Sequence, residues 1–171
     1  MRQLTTEQRE QTLERLMADY GDQVMRTCLL FLQSRQPAED ASQETFIRAW
    51  RALDHLREGQ TEKAWLMKIA VNVCKSMLRS RARRIPDAKV PADEMPETGA
   101  EDRYPDHTVF DAVNSLPVKY RSPVILHYYQ GLPVSDIAGI LHLPGATVRT
   151  RLSRARALLR NNLEGWYFDD E

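Results

Sequence analysis

Residues 133–160 read PVSDIAGILHLPGATVRTRLSRARALLR. Val134, Ile137, Ala138 and Leu141 recur at helical spacing and make one apolar face. The connector His142-Leu143-Pro144-Gly145 is short and holds a helix breaker and a glycine. A second amphipathic stretch follows, over about 146–161, with Val148, Leu152, Ala155 and Leu159 as its buried stripe. Helix, tight turn, helix is the geometry of helix-turn-helix DNA binders. Arg149, Ser153, Arg156 and Arg160 share one face of the second helix, and Thr150 and Arg154 adjoin it. The N-terminal part of such a helix reaches base edges in the major groove. There Arg pairs bidentately with guanine, and Ser or Thr contacts base or phosphate. Arg149, Thr150, Ser153 and Arg154 are therefore the candidate DNA contacts. Arg151, Arg156 and Arg160 suit phosphates or local salt bridges, and a merely solvated basic face is the bland alternative.

Immediately upstream the composition changes. Residues 85–106, IPDAKVPADEMPETGAEDRYPD, carry four prolines and a large excess of acid over Lys89 and Arg103. Such a segment cannot build a core and reads as a flexible acidic linker. It separates two helical blocks, and the net charge of zero hides segregation across it. Lys75, Arg79, Arg81, Arg83 and Arg84 precede the linker, and the arginines of 149–160 follow it. Two basic clusters flanking an acidic tether suit two contacts with one polyanion.

The first block also reads as helical. Over 13–32, Leu13, Leu16, Met17 and Tyr20 lie on one face; continuity past Gly21 is open on the sequence, and Pro37 marks a turn. Over 38–53, Phe46, Ala49, Trp50 and Leu53 point to the core, while Asp40, Gln43, Glu44 and Ile47 form a separate acidic and amide-rich stripe. That stripe suits a basic protein partner. Spacing alone favours a solvated face with acids near a helix N-terminus. Over 61–81, Leu66, Ile69, Val73 and Met77, with Trp65, make a buried stripe. Lys68, Asn72, Lys75 and Arg79 run along another face, with cations to neutralise successive phosphates and an amide to meet a base edge.

Other classes find little support. Cys28 and Cys74 form no Cys-x-x-Cys pair and fall in apolar patterns, as buried free thiols do, and the histidines are scattered, so no metal site and no cofactor are expected. No nucleophile–base pair or phosphate-cradling glycine loop marks an enzyme. The N-terminus lacks a signal-peptide pattern, and no apolar run is long enough to span a bilayer, so a cytoplasmic protein without membrane insertion is expected.

Four stretches in this order resemble the extracytoplasmic-function (ECF) group of sigma factors in the sigma-70 family. They are AEDASQETFIRAWRAL (38–53), AWLMKIAVNVCKSMLRSRARR (64–84), SLPVKYRSPVILHYYQGLPVSDIAGIL (115–141) and TVRTRLSRARALLR (147–160). The resemblance covers most of the chain. It implies an all-α protein of two small domains, a region 2 helical bundle over 1–84 and a region 4 helix-turn-helix over 107–165, joined by the linker 85–106 and followed by an acidic aromatic tail, 166–171. It implies a non-enzymatic subunit that binds core RNA polymerase, reads promoter −10 and −35 elements and helps open the DNA.

Residue by residue, the resemblance assigns Asp40, Gln43, Glu44, Phe46 and Ile47 to the polymerase β′ clamp helices, with the β subunit as a further contact. It assigns Lys68, Asn72, Lys75, Arg79, Arg81, Arg83 and Arg84 to the −10 region, where an extruded base of the open strand can be read on edges hidden in the duplex. It assigns Thr147, Arg149, Thr150, Arg151, Ser153 and Arg154 to the −35 element. An anti-sigma factor is the expected regulator. The chain departs from the family pattern at Ala146, where Gly is usual, at Pro133, where Ser commonly caps the helix, and at Ala41 and Ser42, where apolar residues are common. The rival reading is a stand-alone helix-turn-helix regulator. It would bind duplex DNA without polymerase and leaves the acidic stripe and first basic helix unexplained.

Overall fold

A computed structural model describes residues 3–57, 60–84 and 107–168, with side chains described at 3–57, 60–84 and 109–162. The linker 85–106 and the last residues of the tail, 169–171, lie outside the described residues. Every regular element among the described residues is helical. The chain divides into two compact units, Met1–Pro86 and Asp87–Glu171.

The first unit is a three-helix bundle of α1 (Thr6–Leu32), α2 (Arg35–Ala52) and α3 (Glu62–Arg84), with a 3-10 turn at Leu53–His55. Helix α1 begins in a capping box: the Thr5 hydroxyl accepts from the Gln8 amide while the Gln8 side chain accepts from the Thr5 amide. It passes Gly21 without a break. Its end is set by Gln33, which takes a left-handed conformation (φ 56°) and returns its N–H to the Leu29 carbonyl. The turn expected at Pro37 is instead helix, because α2 already starts at Arg35. Pro37 falls in the first turn, where the missing N–H has no intrahelical acceptor to lose.

The core joins Leu16, Val24, Cys28 and Phe31 of α1 to Ala38, Ala41, Phe46 and Ala49 of α2 and to Leu66, Met67, Ala70, Val71, Val73 and Cys74 of α3. The buried face of α3 is therefore broader than the single stripe predicted. Ile69 and Met77 are only half-buried, while Met67, Ala70 and Val71 are enclosed because α1 and α2 both pack on this helix. Ala41 is fully buried.

The second unit holds α4 (His107–Asn114), α5 (Val118–Val124) running into a π-helical turn (Ile125–Tyr129), α6 (Val134–Leu141) and α7 (Gly145–Phe168). Helices α4, α5 and α6 all pack on α7. Pro123 removes a backbone donor within α5, and the widened turn follows directly. Gly131, at φ 65°, releases the chain from that turn into α6.

Arg121 is 2% exposed and donates to the carbonyls of Asn114 and Leu116, so a buried cation ties down the α4–α5 turn. Burial pushes its guanidinium down to about 10, which leaves it protonated at neutral pH. Pro133 caps α6 without a side-chain hydrogen bond, and α6 closes at left-handed His142. Helix α7 starts at Gly145 and continues to Phe168, well past the expected end near 161 and past the expected tail boundary at 165/166.

Candidate nucleic-acid and partner interfaces

Three surfaces stand out, each on a helix whose other face is buried. On α2, Asp40, Gln43 and Ile47 are exposed, and Ile47 keeps 46% of its surface in solvent. Glu44 is half-buried and is held by Arg48 at 2.6 Å, while Asp40 accepts from Gln36 at 3.2 Å. Phe46 differs from its neighbours: at 7% exposure it belongs to the core.

A shallow groove of about 550 Å³ runs beside this stripe, lined by Leu13, Met17 and Gly21 of α1 and by Ser42, Gln43, Phe46, Ile47 and Trp50 of α2. A side chain at Gly21 would meet nothing within 4 Å, so the α1 wall is open there, and Ser42 lies in the facing wall on α2. The face of α1 read as an apolar stripe therefore splits: Leu16 is enclosed, while Met17 is 49% exposed at the groove. No periodicity argument assigns Leu13 and Met17 to a partner surface, because only the packing of α1 on α2 creates the groove.

Behind the groove, Arg9 fastens the end of α2. It donates to the Trp50 carbonyl and the Asp54 carboxylate, and its guanidinium lies 5.2 Å from the Trp50 ring centroid. The Leu4 amide and Arg9 hold the Asp54 carboxyl below its ordinary range.

The second surface lies on α3. Lys68, Asn72, Arg79, Arg83 and Arg84 are exposed, and Lys75 and Arg81 are half-buried. Lys68, Asn72, Lys75 and Arg79 follow one another along one face, opposite the core residues Leu66, Val73 and Ala70.

The third surface is α7. Val148, Leu152 and Ala155 are buried; Arg149, Thr150, Ser153 and Arg154 are exposed, and Thr147 and Arg151 half-buried. The Thr150 hydroxyl donates back to the Ala146 carbonyl at 3.0 Å. Gly145 sits at the tight start of α7, where an added Cβ would lie 3.7 Å from Arg149 Nη1 and 3.8 Å from Val134 Cγ1. Those are ordinary van der Waals contacts.

Two tyrosines reach α7 from the preceding elements. Arg156 Nη1 donates to the Tyr128 hydroxyl at 3.0 Å, and Tyr120 and Arg154 line one cleft between α5 and α7. Neither contact is visible in the sequence, where these partners lie 28 and 34 positions apart. Among the described residues, no group of His, Cys, Asp and Glu could hold a metal ion, and no helix is long and apolar enough to cross a membrane.

Comparison with known proteins agrees with this architecture. Sigma-70 region 2 matches residues 16–84, and Sigma-70, region 4 matches residues 107–159. The RNA polymerase sigma-H factor of Pseudomonas aeruginosa is 32% identical over 94% of this chain and 96% of its own. The ECF RNA polymerase sigma-E factor of Escherichia coli is 36% identical over 73% of each chain. Among solved structures, the sigma factor RpoE of Bartonella quintana, in complex with the anti-sigma factor NepR, superposes with a TM-score of 0.75 at 26% identity, covering 88% of this chain and 96% of that one. CnrH, in complex with the cytosolic domain of CnrY, gives 0.67 at 25% identity over 91% and 90%. Sequence and fold together place this chain in the sigma-70 family, among its extracytoplasmic-function members, as an alternative sigma factor that directs transcription initiation.

Proposed function

We propose that the first unit docks on core RNA polymerase through α2 and holds opened promoter DNA with α3, and that the second unit reads the −35 duplex with α7. The observation that carries this reading is the opposition of two surfaces on one three-helix unit. The α2 stripe of Asp40, Gln43, Glu44 and Ile47 is acidic and amide-rich beside an apolar groove, whereas the α3 face of Lys68, Asn72, Lys75 and Arg79 is basic. A stand-alone helix-turn-helix regulator needs neither.

On α2, an apolar anchor rimmed by polar groups suits a basic helical partner. Ile47 and the groove supply the anchor, Asp40 and Gln43 the polar rim, and Phe46 acts from the core as the floor of the groove. On α3, Asn72 faces solvent between cations, placed to hydrogen-bond an extruded base while Lys75, Arg79, Arg81, Arg83 and Arg84 neutralise the backbone. On α7, Arg149, Thr150, Ser153 and Arg154, with Thr147 and Arg151 beside them, meet the −35 element in the major groove.

The functional domains are then 1–84 and 107–165, tethered by 85–106. Binding to polymerase sets their separation, so two weak DNA contacts act as one stronger contact. The chain itself catalyses no reaction and works in the cytoplasm. Solved relatives in complex with NepR and CnrY support an anti-sigma protein as the regulator.

Permanganate footprinting of complexes formed with core polymerase tests the strand-capture role. Asn72→Ala is expected to leave polymerase binding intact and to reduce reactivity of unpaired thymines at the −10 element. Unchanged opening would refute the role of Asn72.

A further inference from the structure

The exposed side of α7 meets α5 in a cleft of about 380 Å³. Lys119 and Tyr120 come from α5, and Ala146, Thr147, Thr150, Arg151 and Arg154 from α7. Three of these residues are cationic and none is acidic. The Lys119 ammonium lies 5.1 Å from the Tyr120 ring centroid, so the ring and the charge form one wall. The Tyr120 phenol and the Arg154 guanidinium line this cleft together. Arg154 as partner, with the charges of Lys119 and Arg154, holds the phenol below its ordinary range.

A fully exposed arginine has many rotamers and loses about 2 kcal/mol of freedom when a ligand fixes it. A guanidinium held beside a rigid ring in a cleft keeps fewer of those rotamers before DNA arrives. Arg154 is also on the same side of α7 as Thr147, Thr150 and Arg151, whereas Arg149 and Ser153 lie on the neighbouring strip.

We propose that the −35 surface extends from α7 onto α5, with the α5–α7 cleft seating one backbone phosphodiester. Lys119 supplies charge to that phosphate, and Tyr120 is a positioning residue that holds the Arg154 guanidinium at the cleft mouth. This rests on the reading of α7 as the duplex-binding helix. The ligand is a phosphate group of DNA, and the same chemistry would accept a free phosphate ion, so the two sources are separated in the test.

The experiment measures binding of the full chain, assembled with core RNA polymerase, to a promoter fragment and to single-base variants of its −35 element across a salt series. Arg149→Ala is the control for α7: if it leaves both affinity and base preference unchanged, the reading of α7 itself fails. With that control effective, Lys119→Ala is expected to weaken all fragments equally and to shrink the log affinity–log salt slope by about one. An unchanged slope overturns the phosphate seat. Tyr120→Phe keeps the ring and removes the hydroxyl. It is expected to weaken binding less than Arg154→Ala and to add nothing when combined with it. Fully additive losses in the double variant overturn the positioning role. Finally, inorganic phosphate is titrated into the free chain while the Tyr120 and Arg154 signals are followed by NMR. Saturation well below millimolar phosphate would assign the cleft to a free anion and overturn the DNA assignment.

Discussion

Arg15 and Glu62 are joined by two hydrogen bonds, 2.8 Å and 2.6 Å, that tie the middle of α1 to the first turn of α3. The pair holds the Glu62 carboxyl below its ordinary range and the Arg15 guanidinium above its own. Its geometry is bidentate, but both side chains keep contact with solvent, at 49% and 29% exposure, so screening limits it to about 1 kcal/mol or less. The sign follows from the depressed carboxyl. The stabilisation is complete above the unfolded value of about 4.3 and is lost as pH falls through the lower folded value. Glu62→Gln is expected to lower the denaturation midpoint at pH 7 slightly and to flatten the acid limb of the stability profile. An unchanged acid limb, followed by urea denaturation at several pH values, would show that the pair contributes nothing measurable.

Cys28 on α1 and Cys74 on α3 are free thiols, both fully buried in the core of the first unit. The contact with Cys28 and desolvation together push the Cys74 thiol well above its ordinary range, so thiolate is scarce at neutral pH. Native protein is therefore expected to resist Ellman's reagent and to react at both cysteines only once unfolded. Rapid labelling of the native chain would contradict this packing.

Arg121 is a buried cation that donates to the main-chain carbonyls of Asn114 and Leu116. Arg121→Ala strips those carbonyls of a donor and leaves a cavity. It is expected to destabilise the second unit by about 2–4 kcal/mol. Chemical denaturation followed by a probe in that unit checks it, and a change below about 0.5 kcal/mol, the range of ordinary surface substitutions, would mean the α4–α5 turn holds without it.

Ile47 is nearly half exposed at the mouth of the α1–α2 groove, where a charge meets no packing constraint. Ile47→Asp is expected to leave the melting temperature within a degree or two, as surface changes do, and to weaken association with core polymerase at least tenfold, the scale set by losing one well-packed apolar anchor. Sedimentation or fluorescence binding with purified core enzyme measures it. Retained affinity would remove the groove from the polymerase surface.

Much of this protein is legible in its sequence, for identifiable reasons. The apolar periods at Val134–Leu141 and at Val148, Leu152 and Ala155 are long enough to reveal both helices of the helix-turn-helix, and the stripes of α2 and α3 separate core from surface. Local breakers mislead where tertiary packing overrides them. Pro37 reads as a turn yet lies in the first helical turn, and the question that Gly21 leaves open is answered by an unbroken α1. Phe46, which its spacing sends to the core and the family motif groups with Asp40, Gln43 and Glu44, is buried and lines the groove from the core side. The groove wall from Leu13 and Met17, and the reach of Tyr120 and Tyr128 to Arg154 and Arg156, depend on helices meeting in space. No one-dimensional pattern carries such contacts.

The most direct test of the central claim is run-off transcription with core RNA polymerase on a promoter library, with and without this protein. Start sites that appear only when the protein is present, and that vanish when Asp40→Ala and Gln43→Ala are combined, are the predicted result. No new start sites, together with tight binding to duplex DNA in the absence of polymerase, would contradict it and leave a stand-alone helix-turn-helix regulator.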